Sequence, residues 1–181
     1  DLGCGDGTLL HHLISDHDCT GTGVEIDPDK VLGAIDAGVP VMELDLAADL
    51  ALFDTGSFDT VVLSRTLQTL RHPELVLLVM ARIGRQLLVT VPNFGLLQHR
   101  LMRLRGRMPM SRELPYSWYD TPNLRFTTLV DLEGLFAKLG LVIVQRIIAP
   151  SPGRAVWLRQ GFLPYRRPVP ADHRLRLPEW P

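Results

Sequence analysis

The sequence is poor in cysteine and has no long apolar run. Cys4 and Cys19 are its two cysteines, too few for a disulfide framework or a metal cluster, and we predict no metal site. No segment approaches the roughly 18 to 20 apolar residues that cross a bilayer, so we predict no membrane span. Because two cysteines give no disulfide framework, a reducing cytoplasm is the simplest predicted compartment.

Lysine is also scarce, because seventeen of the nineteen basic residues are arginine. Residues 1–60 carry thirteen acids and one base, Lys30, whereas residues 61–181 carry seven acids and eighteen bases. The two parts have charges of −12 and +11, although the net charge of the chain is only −1. Such asymmetry affects association rather than fold, and it predicts different partners for the two ends, with a solvated surface as the simpler alternative.

The length and the hydrophobic pattern predict one α/β domain. At 181 residues the chain fits a single core. Apolar runs bounded by turn residues alternate with segments of helical spacing, as in a parallel sheet with crossover helices. Strands are predicted over 20–27, 40–46, 58–64, 86–93 and 141–149. Helices are predicted over 8–15, from Pro28 to a stop at Gly38 with Asp27 as the N-cap, over 73–83 and over 127–140.

The opening stretch "DLGCGDG" predicts a ligand site. A glycine turn between a strand and a helix presents backbone N–H groups at the carboxyl edge of a parallel sheet. A dinucleotide fingerprint would read G-x-G-x-x-G, whereas Gly3, Gly5 and Gly7 give G-x-G-x-G directly after Asp1. An acid there would repel a pyrophosphate but can accept hydrogen bonds from an ammonium group. Adenosylmethionine therefore fits better than NAD.

Two further strand ends carry acids. Glu25 ends the second predicted strand, where its carboxylate can accept hydrogen bonds from both ribose hydroxyls. NAD has the same free diol, so Glu25 alone does not decide between the cofactors. Asp45 follows the third strand and can accept from the adenine amino group while Leu46 packs on the ring, with a helix or turn cap as the alternative role of Asp45.

These motifs resemble the class I adenosylmethionine-dependent methyltransferase superfamily over residues 1 to about 150. The resemblance implies a Rossmann-like, mostly parallel seven-stranded sheet with helices on both faces and one antiparallel strand near the end. The segment 141–149 is a candidate for one of the last two strands. It also implies S-adenosylmethionine or S-adenosylhomocysteine as the cofactor. Residues expected at the cofactor in addition to those above are Cys4, Ile26 and Ser64.

No residue precedes Asp1, although the motif is normally the second half of a strand–turn–helix unit. We expect the sequence to be a fragment whose first strand, central in the sheet, is largely missing. Because its neighbours would leave buried hydrogen-bonding groups unpaired, we expect the fragment to be poorly folded in isolation.

The region after the strand 58–64 lacks an evident catalytic base. The segment "SRTLQTL" (64–70) contains no acid, histidine or tyrosine, and Gln68 can equally cap a turn, line a wall or act in catalysis. The catalytic residues therefore stay unknown.

Residues 94–128, which we call the insert, are longer than most connections and predict a lid or a docking surface. Leu97, Leu101, Leu104 and Met108 have helical spacing. Arg100, Arg103 and Arg107 share another face. Either the leucines pack on the domain and the arginines are solvated, or the helix docks on an acidic partner. Without clustered lysines or a stacking platform, nucleic acid and membrane surfaces are not predicted. Candidate aromatic anchors are Tyr116, Trp118 and Tyr119.

The segments "VVLSRTLQTL", "VPNFG", "GRMP" and "LPYSWYDTPNLRFTT", in this order, resemble the methionine biosynthesis protein MetW family. That resemblance implies a bacterial auxiliary protein that acts with homoserine O-acyltransferase in forming O-acetyl- or O-succinylhomoserine. A methyltransferase that acts on an unidentified small molecule is the alternative. We predict a methyltransferase-like domain over residues 1–160. Residues 163–181 hold five of the fourteen prolines, which predicts a loosely ordered Pro- and Arg-rich tail over 161–181.

Overall fold

The computed structural model describes residues 1–46, 48–49, 52–111 and 114–147 and confirms the α/β class. Its helices are α1 Thr8–His17, α2 Pro28–Asp36, α3 Pro73–Ile83, α4 Leu97–Leu104 and α5 Leu129–Lys138, with a 3-10 turn at Leu67–Thr69. Its strands are β1 Gly23–Glu25, β2 Val41–Glu43, β3 Phe58–Ser64 and β4 Gly84–Thr90. The predicted tail, 161–181, lies outside the described residues. In the part of the chain described, no helix is both long and apolar enough to cross a membrane.

The strands are parallel and share one carboxyl edge. β1 pairs with β2, and β3 pairs with β4. Residues 1–3 lie between the two pairs, because Leu2 N donates to Val62 O (2.9 Å) and Val24 N donates to Asp1 O (2.9 Å). The order is therefore β2, β1, residues 1–3, β3 and β4. The parallel arrangement is confirmed, but the predicted count of seven strands is not, since the described residues contain four.

Helices cover both faces of this sheet. Gly23 of β1 is in register with Val41 of β2, so Val24 and Val41 point to opposite faces. Val24 packs in a core cluster with residues of β3, α3 and α5. Val41 packs instead against Leu10 of α1 and Ala34 of α2. The expected helices on both faces are thus present.

Local capping signals set the helix ends. The side chain of Asp27 accepts a hydrogen bond from Asp29 N (3.1 Å), with Pro28 as the first helical residue. Gly38, at φ +75°, lies just beyond the end of α2. These three predictions are confirmed.

The strand predicted over 141–149 is wrong for its described part, because residues 141–147 form no strand. Val142, Val144 and Ile147 are more than half exposed. An apolar run becomes a strand only where a neighbouring backbone offers N–H and C=O partners. Among the described residues, no backbone hydrogen bond joins 141–147 to a strand. Residues 148 and 149 lie outside the described range.

Candidate functional site

The glycine loop, residues 3–7, folds back on the end of β1. Gly3 N and Cys4 N both donate to Val24 O, at 2.7 and 3.0 Å. Gly3 has φ +70°, and a Cβ placed on it would lie 2.6 Å from Cγ2 and Oγ1 of Thr66. Gly5 has φ +61° with open space where its Cβ would be. Glycine is therefore needed at position 3 for close packing, and at position 5 it leaves the backbone accessible.

Glu25 is the buried acid that holds this loop. It is 6% exposed and ends β1. Its Oε2 accepts from Gly5 N (2.8 Å), and its Oε1 accepts from Ile26 N (2.9 Å) and Asp27 N (3.2 Å). A carboxylate offers about four acceptor sites, so three are already used within the protein. The predicted contact of Glu25 with a ribose thus has about one acceptor site left in this arrangement.

The other predicted residues along this edge lie next to Glu25. Leu44 N donates to Glu25 O (3.0 Å), which brings the following Asp45 beside the end of β1. Asp45 is exposed and starts a turn in which its main-chain oxygen accepts from Asp49 N (2.8 Å). Leu46 packs against the main core, whereas Ile26 is 59% exposed. We call this edge, with the glycine loop, Glu25 and Asp45, the crevice.

Asp1 has a buried oxygen without a hydrogen-bond partner in the described part of the chain, whereas the buried side chain of Cys4 packs as a neutral thiol. Asp1 Oδ1 is buried and has no hydrogen-bond partner among the described residues. An unpaired buried carboxylate oxygen fits a ligand that brings a donor such as an ammonium group. Cys4 is 8% exposed, and burial, followed by the charge of Glu25, raises the pKa of its thiol. Cys4 is therefore a packing residue with a protonated thiol.

Residues 65–71, which follow β3, form a loop that contacts the glycine loop. We call it the linking loop. Ser64 ends β3, with its Oγ 3.2 Å from Thr90 Oγ1. Thr66 Oγ1 donates to Ser64 O (3.0 Å) and makes a longer contact with Gly3 O (3.4 Å). Sequence reasoning missed Thr66, because nothing in a polar loop residue indicates which glycine it will cover 63 residues away.

The insert is a closed loop with its own small core. Phe94 N donates to Thr127 O (3.1 Å), and the rings of Phe94 and Phe126 are 4.4 Å apart. His99 of α4 is fully buried, and its ring nitrogens lie 3.2 Å from Asn93 O and 3.1 Å from Ser111 Oγ. Sequence reasoning missed this residue, because helical spacing places His99 opposite the leucines of α4 without showing which of the two faces is buried.

The leucines predicted on one face of α4 do not pack on the domain. Leu97 is 71% exposed and Leu104 83% exposed, and the arginines of the helix are exposed too. The interpretation with buried leucines is wrong, because α4 turns His99 inward instead. Trp118 and Tyr119, 72% and 75% exposed, are in edge-to-face contact. A pocket lies within the insert, lined by Phe94, Met108, Pro109, Leu114, Tyr116, Ser117, Trp118, Thr121, Asn123 and Phe126.

Solved structures share this fold. One is a complex of the Trm112 methyltransferase activator with a methyltransferase from Haloferax volcanii, matched at a TM-score of 0.64 and 19% identity over 85% of this chain and 66% of that one. Another is an adenosylmethionine-dependent methyltransferase from Archaeoglobus fulgidus, with a TM-score of 0.59 and 18% identity over 77% of this chain and 58% of that one. These similarities confirm the methyltransferase-like fold expected from the glycine loop.

Sequence comparison gives the family. The family model for methionine biosynthesis protein MetW matches residues 1–166. The bifunctional methionine biosynthesis protein MetXA/MetW of Rhodopirellula baltica is 34% identical over 81% of this chain and 25% of its own length. The chain thus spans about a quarter of that relative. With its methyltransferase-like sheet and glycine loop, the chain belongs to the MetW family of methionine biosynthesis proteins.

Proposed function

We propose that the chain is an auxiliary subunit in methionine biosynthesis that docks on homoserine O-acyltransferase through its insert and binds adenosylmethionine or adenosylhomocysteine in the crevice. The observation that carries the docking proposal is the exposed apolar surface of the insert. Large exposed apolar patches on a folded domain mark interaction sites. The cytoplasmic location stays a prediction.

The docking surface combines apolar anchors with a basic rim. Its exposed large side chains are Leu97, Leu101, Leu104, Met108, Tyr116, Trp118 and Tyr119. Its exposed arginines are Arg100, Arg103, Arg105 and Arg107. Tryptophan, tyrosine and arginine are the residue types enriched in binding hot spots. Because the closed loop and buried His99 fix the backbone that carries these side chains, little backbone ordering opposes binding.

The acyltransferase is the partner that the relative supports. In Rhodopirellula baltica one polypeptide carries both names, MetXA and MetW, and this chain matches a quarter of it. Joining two units in one chain raises their effective concentration, an arrangement favoured when they work in contact. The basic rim further favours an acidic patch on the partner.

The crevice fits the proposed cofactor in two respects. Asp1 Oδ1, buried without a partner among the described residues, suits the ammonium group of adenosylmethionine. No described atom outside residues 4–6 lies within 4 Å of where a Cβ of Gly5 would be, although the N–H of Gly5 is already held by Glu25. Glu25 keeps the loop in shape, and the exposed Ile26, next to Glu25 in the chain, offers apolar surface for an adenine ring, whereas Leu46 packs against the main core. Bound adenosylmethionine would supply an electrophilic methyl group, and adenosylhomocysteine would not.

Docking is tested by removing an anchor or reversing the rim. We expect Trp118→Ala, or Arg103→Glu with Arg107→Glu, to weaken association with the acyltransferase by about 2 kcal/mol or more, roughly 30-fold. Co-purification and the acylation rate should fall together, while adenosylhomocysteine affinity stays nearly unchanged. The matched controls Leu32→Ala and Lys138→Glu change exposed residues outside the insert and should have little effect. Variants that lose the cofactor and keep the partner would make the insert a lid instead.

The methyltransferase-like fold supports a second candidate function, which is methyl transfer to an unidentified small molecule. Against it, no acid, histidine or tyrosine lies at 64–70 to take a proton from an acceptor. Incubating the protein with methyl-labelled adenosylmethionine and a cell extract discriminates between the two. Label that reaches an acceptor supports the enzyme, and its absence supports the auxiliary role.

A further inference from the structure

Gln68 is a buried side chain with one unused acceptor. It lies in the 3-10 turn of the linking loop and is 7% exposed. Its Nε2 donates to the main-chain oxygen of Arg65, which fixes the orientation of the amide. Its Oε1 is buried and has no hydrogen-bond partner among the described residues. Folded proteins seldom leave such an atom unpaired, so the atom is a candidate contact for a ligand.

The main chain of Gln68 holds the insert. Its carbonyl oxygen accepts from both Leu124 N and Arg125 N, each at 2.9 Å. The side chain of Arg125 donates in turn to Arg71 O (2.9 Å). The C-terminal part of the insert therefore rests on the linking loop through three hydrogen bonds. Two of them share a single acceptor atom.

The linking loop is also fixed against the glycine loop. Thr66, two residues before Gln68, fills the space above Gly3. Arg65 is in the left-handed region at φ +54°, held there by hydrogen bonds from its N–H to Thr90 O (3.0 Å) and Thr90 Oγ1 (3.1 Å). A non-glycine residue kept in this region indicates a conformation that its surroundings impose. Gln68 thus stands between the crevice and the insert.

We propose that Gln68 couples ligand occupancy of the crevice to the insert. Its Oε1 accepts a hydrogen bond from an amino, ammonium or hydroxyl group of the bound small molecule. That contact fixes the 3-10 turn, and the carbonyl of Gln68 then holds Leu124 and Arg125 more firmly. The ligand must carry an N–H or O–H group at this point, because the open partner is an acceptor. The coupling rests on the proposed function, in which the crevice binds the ligand and the insert docks.

Hydrogen exchange with adenosylhomocysteine as the probe tests the coupling in the unmodified protein. We expect saturating probe to slow exchange of the Leu124 and Arg125 amides at least about tenfold. The amides of Ser111 and Asp120 are hydrogen-bonded within the insert and do not contact Gln68, so they should change by less than about twofold. Binding of the probe without slowing at Leu124 and Arg125 would overturn the coupling and leave docking untouched.

Two variants separate the role of the acceptor, Gln68 Oε1, from that of the donor, Gln68 Nε2. Gln68→Met removes both polar atoms at similar size, and Gln68→Glu keeps an acceptor but loses the donor to Arg65 O. We expect Gln68→Met to bind the probe about tenfold more weakly without slowing at Leu124 and Arg125, and Gln68→Glu to retain binding. Gln145→Met, at an exposed glutamine, is the matched control. Equal weakening in Gln68→Met and Gln68→Glu would mean a structural role only.

No binding by the unmodified protein would overturn both the crevice assignment and the coupling, whereas docking is judged separately by co-purification.

Discussion

The glycine loop and the insert differ in what they leave for a binding partner. In the glycine loop the N–H groups of Gly3, Cys4, Gly5 and Gly7 all donate to acceptors within the protein. In the insert the hydrogen bonds are made inside, and large apolar side chains such as Leu104 and Trp118 lie on the outside. The first region is thus built before any ligand arrives, whereas we expect the second to be completed by a partner. Substitutions should therefore act on folding in one region and on association in the other.

The largest effect is expected at Glu25, because this carboxylate holds three backbone N–H groups. We expect Glu25→Ala to lower the free energy of unfolding by about 3 to 5 kcal/mol, since hydrogen bonds to charged groups contribute about 1.5 to 3 each and do not add fully. Denaturant unfolding measures it. Adenosylhomocysteine affinity should fall as well.

Glu43 is the matched control, because it is the register partner of Glu25 on β2 and is exposed. Glu43→Ala should change the free energy of unfolding by less than about 0.5 kcal/mol. Equal losses in the two variants would remove Glu25 from its role as the holder of the loop.

The next largest effect is expected at Gly3, where positive φ and a close neighbour act together. Gly3→Ala should cost about 2 to 3 kcal/mol, because left-handed backbone costs an alanine about 1 to 2 and its Cβ would also press on Thr66. Gly38→Ala has a similar φ of +75° and open space around the Cβ, so it isolates the backbone cost. Adding Thr66→Ala to Gly3→Ala should restore part of the difference. If the two glycine variants unfold alike, Thr66 does not confine the loop.

The same contrast explains how far the sequence predicts the structure. The backbone around the glycine loop could be predicted because its signals are local: glycines that need positive φ, an acid at a strand end, and Asp27 with Pro28 at the start of α2. Ligand binding there stays a prediction. The insert could not, because helical spacing places the leucines of α4 on one face without saying which face is buried. That choice depends on His99 meeting Asn93 and Ser111 in three dimensions. The strand predicted over 141–149 failed likewise over its described residues, 141–147, since apolar character does not supply a pairing partner.

A smaller and local effect is expected at His99. His99→Leu leaves Asn93 O and Ser111 Oγ without this partner, so we expect a loss of about 1 to 2 kcal/mol confined to the insert. Faster hydrogen exchange at Phe94 N, which closes the insert on Thr127 O, measures it. Gly5 N should keep its protection. His12→Leu makes the same change at an exposed site and serves as the control. Equal acceleration at Phe94 and Gly5 would show that the two regions open together.

The smallest effect is expected at Cys4, where burial and then the charge of Glu25 raise the thiol pKa. In the unfolded chain the pKa of a thiol is about 8.5, so above that pH the unfolded chain loses a proton that the folded protein retains. The free energy of unfolding should therefore fall as pH rises above about 8.5, by a few tenths of a kcal/mol after screening, and be unaffected below it. Cys4→Ala should abolish this fall, whereas Cys19→Ala, at the exposed cysteine, should preserve it.

Alkylation at pH 8 should likewise modify Cys19 well before Cys4. Equal alkylation rates would mean that the glycine loop opens on the timescale of the reaction and is no more fixed than the insert.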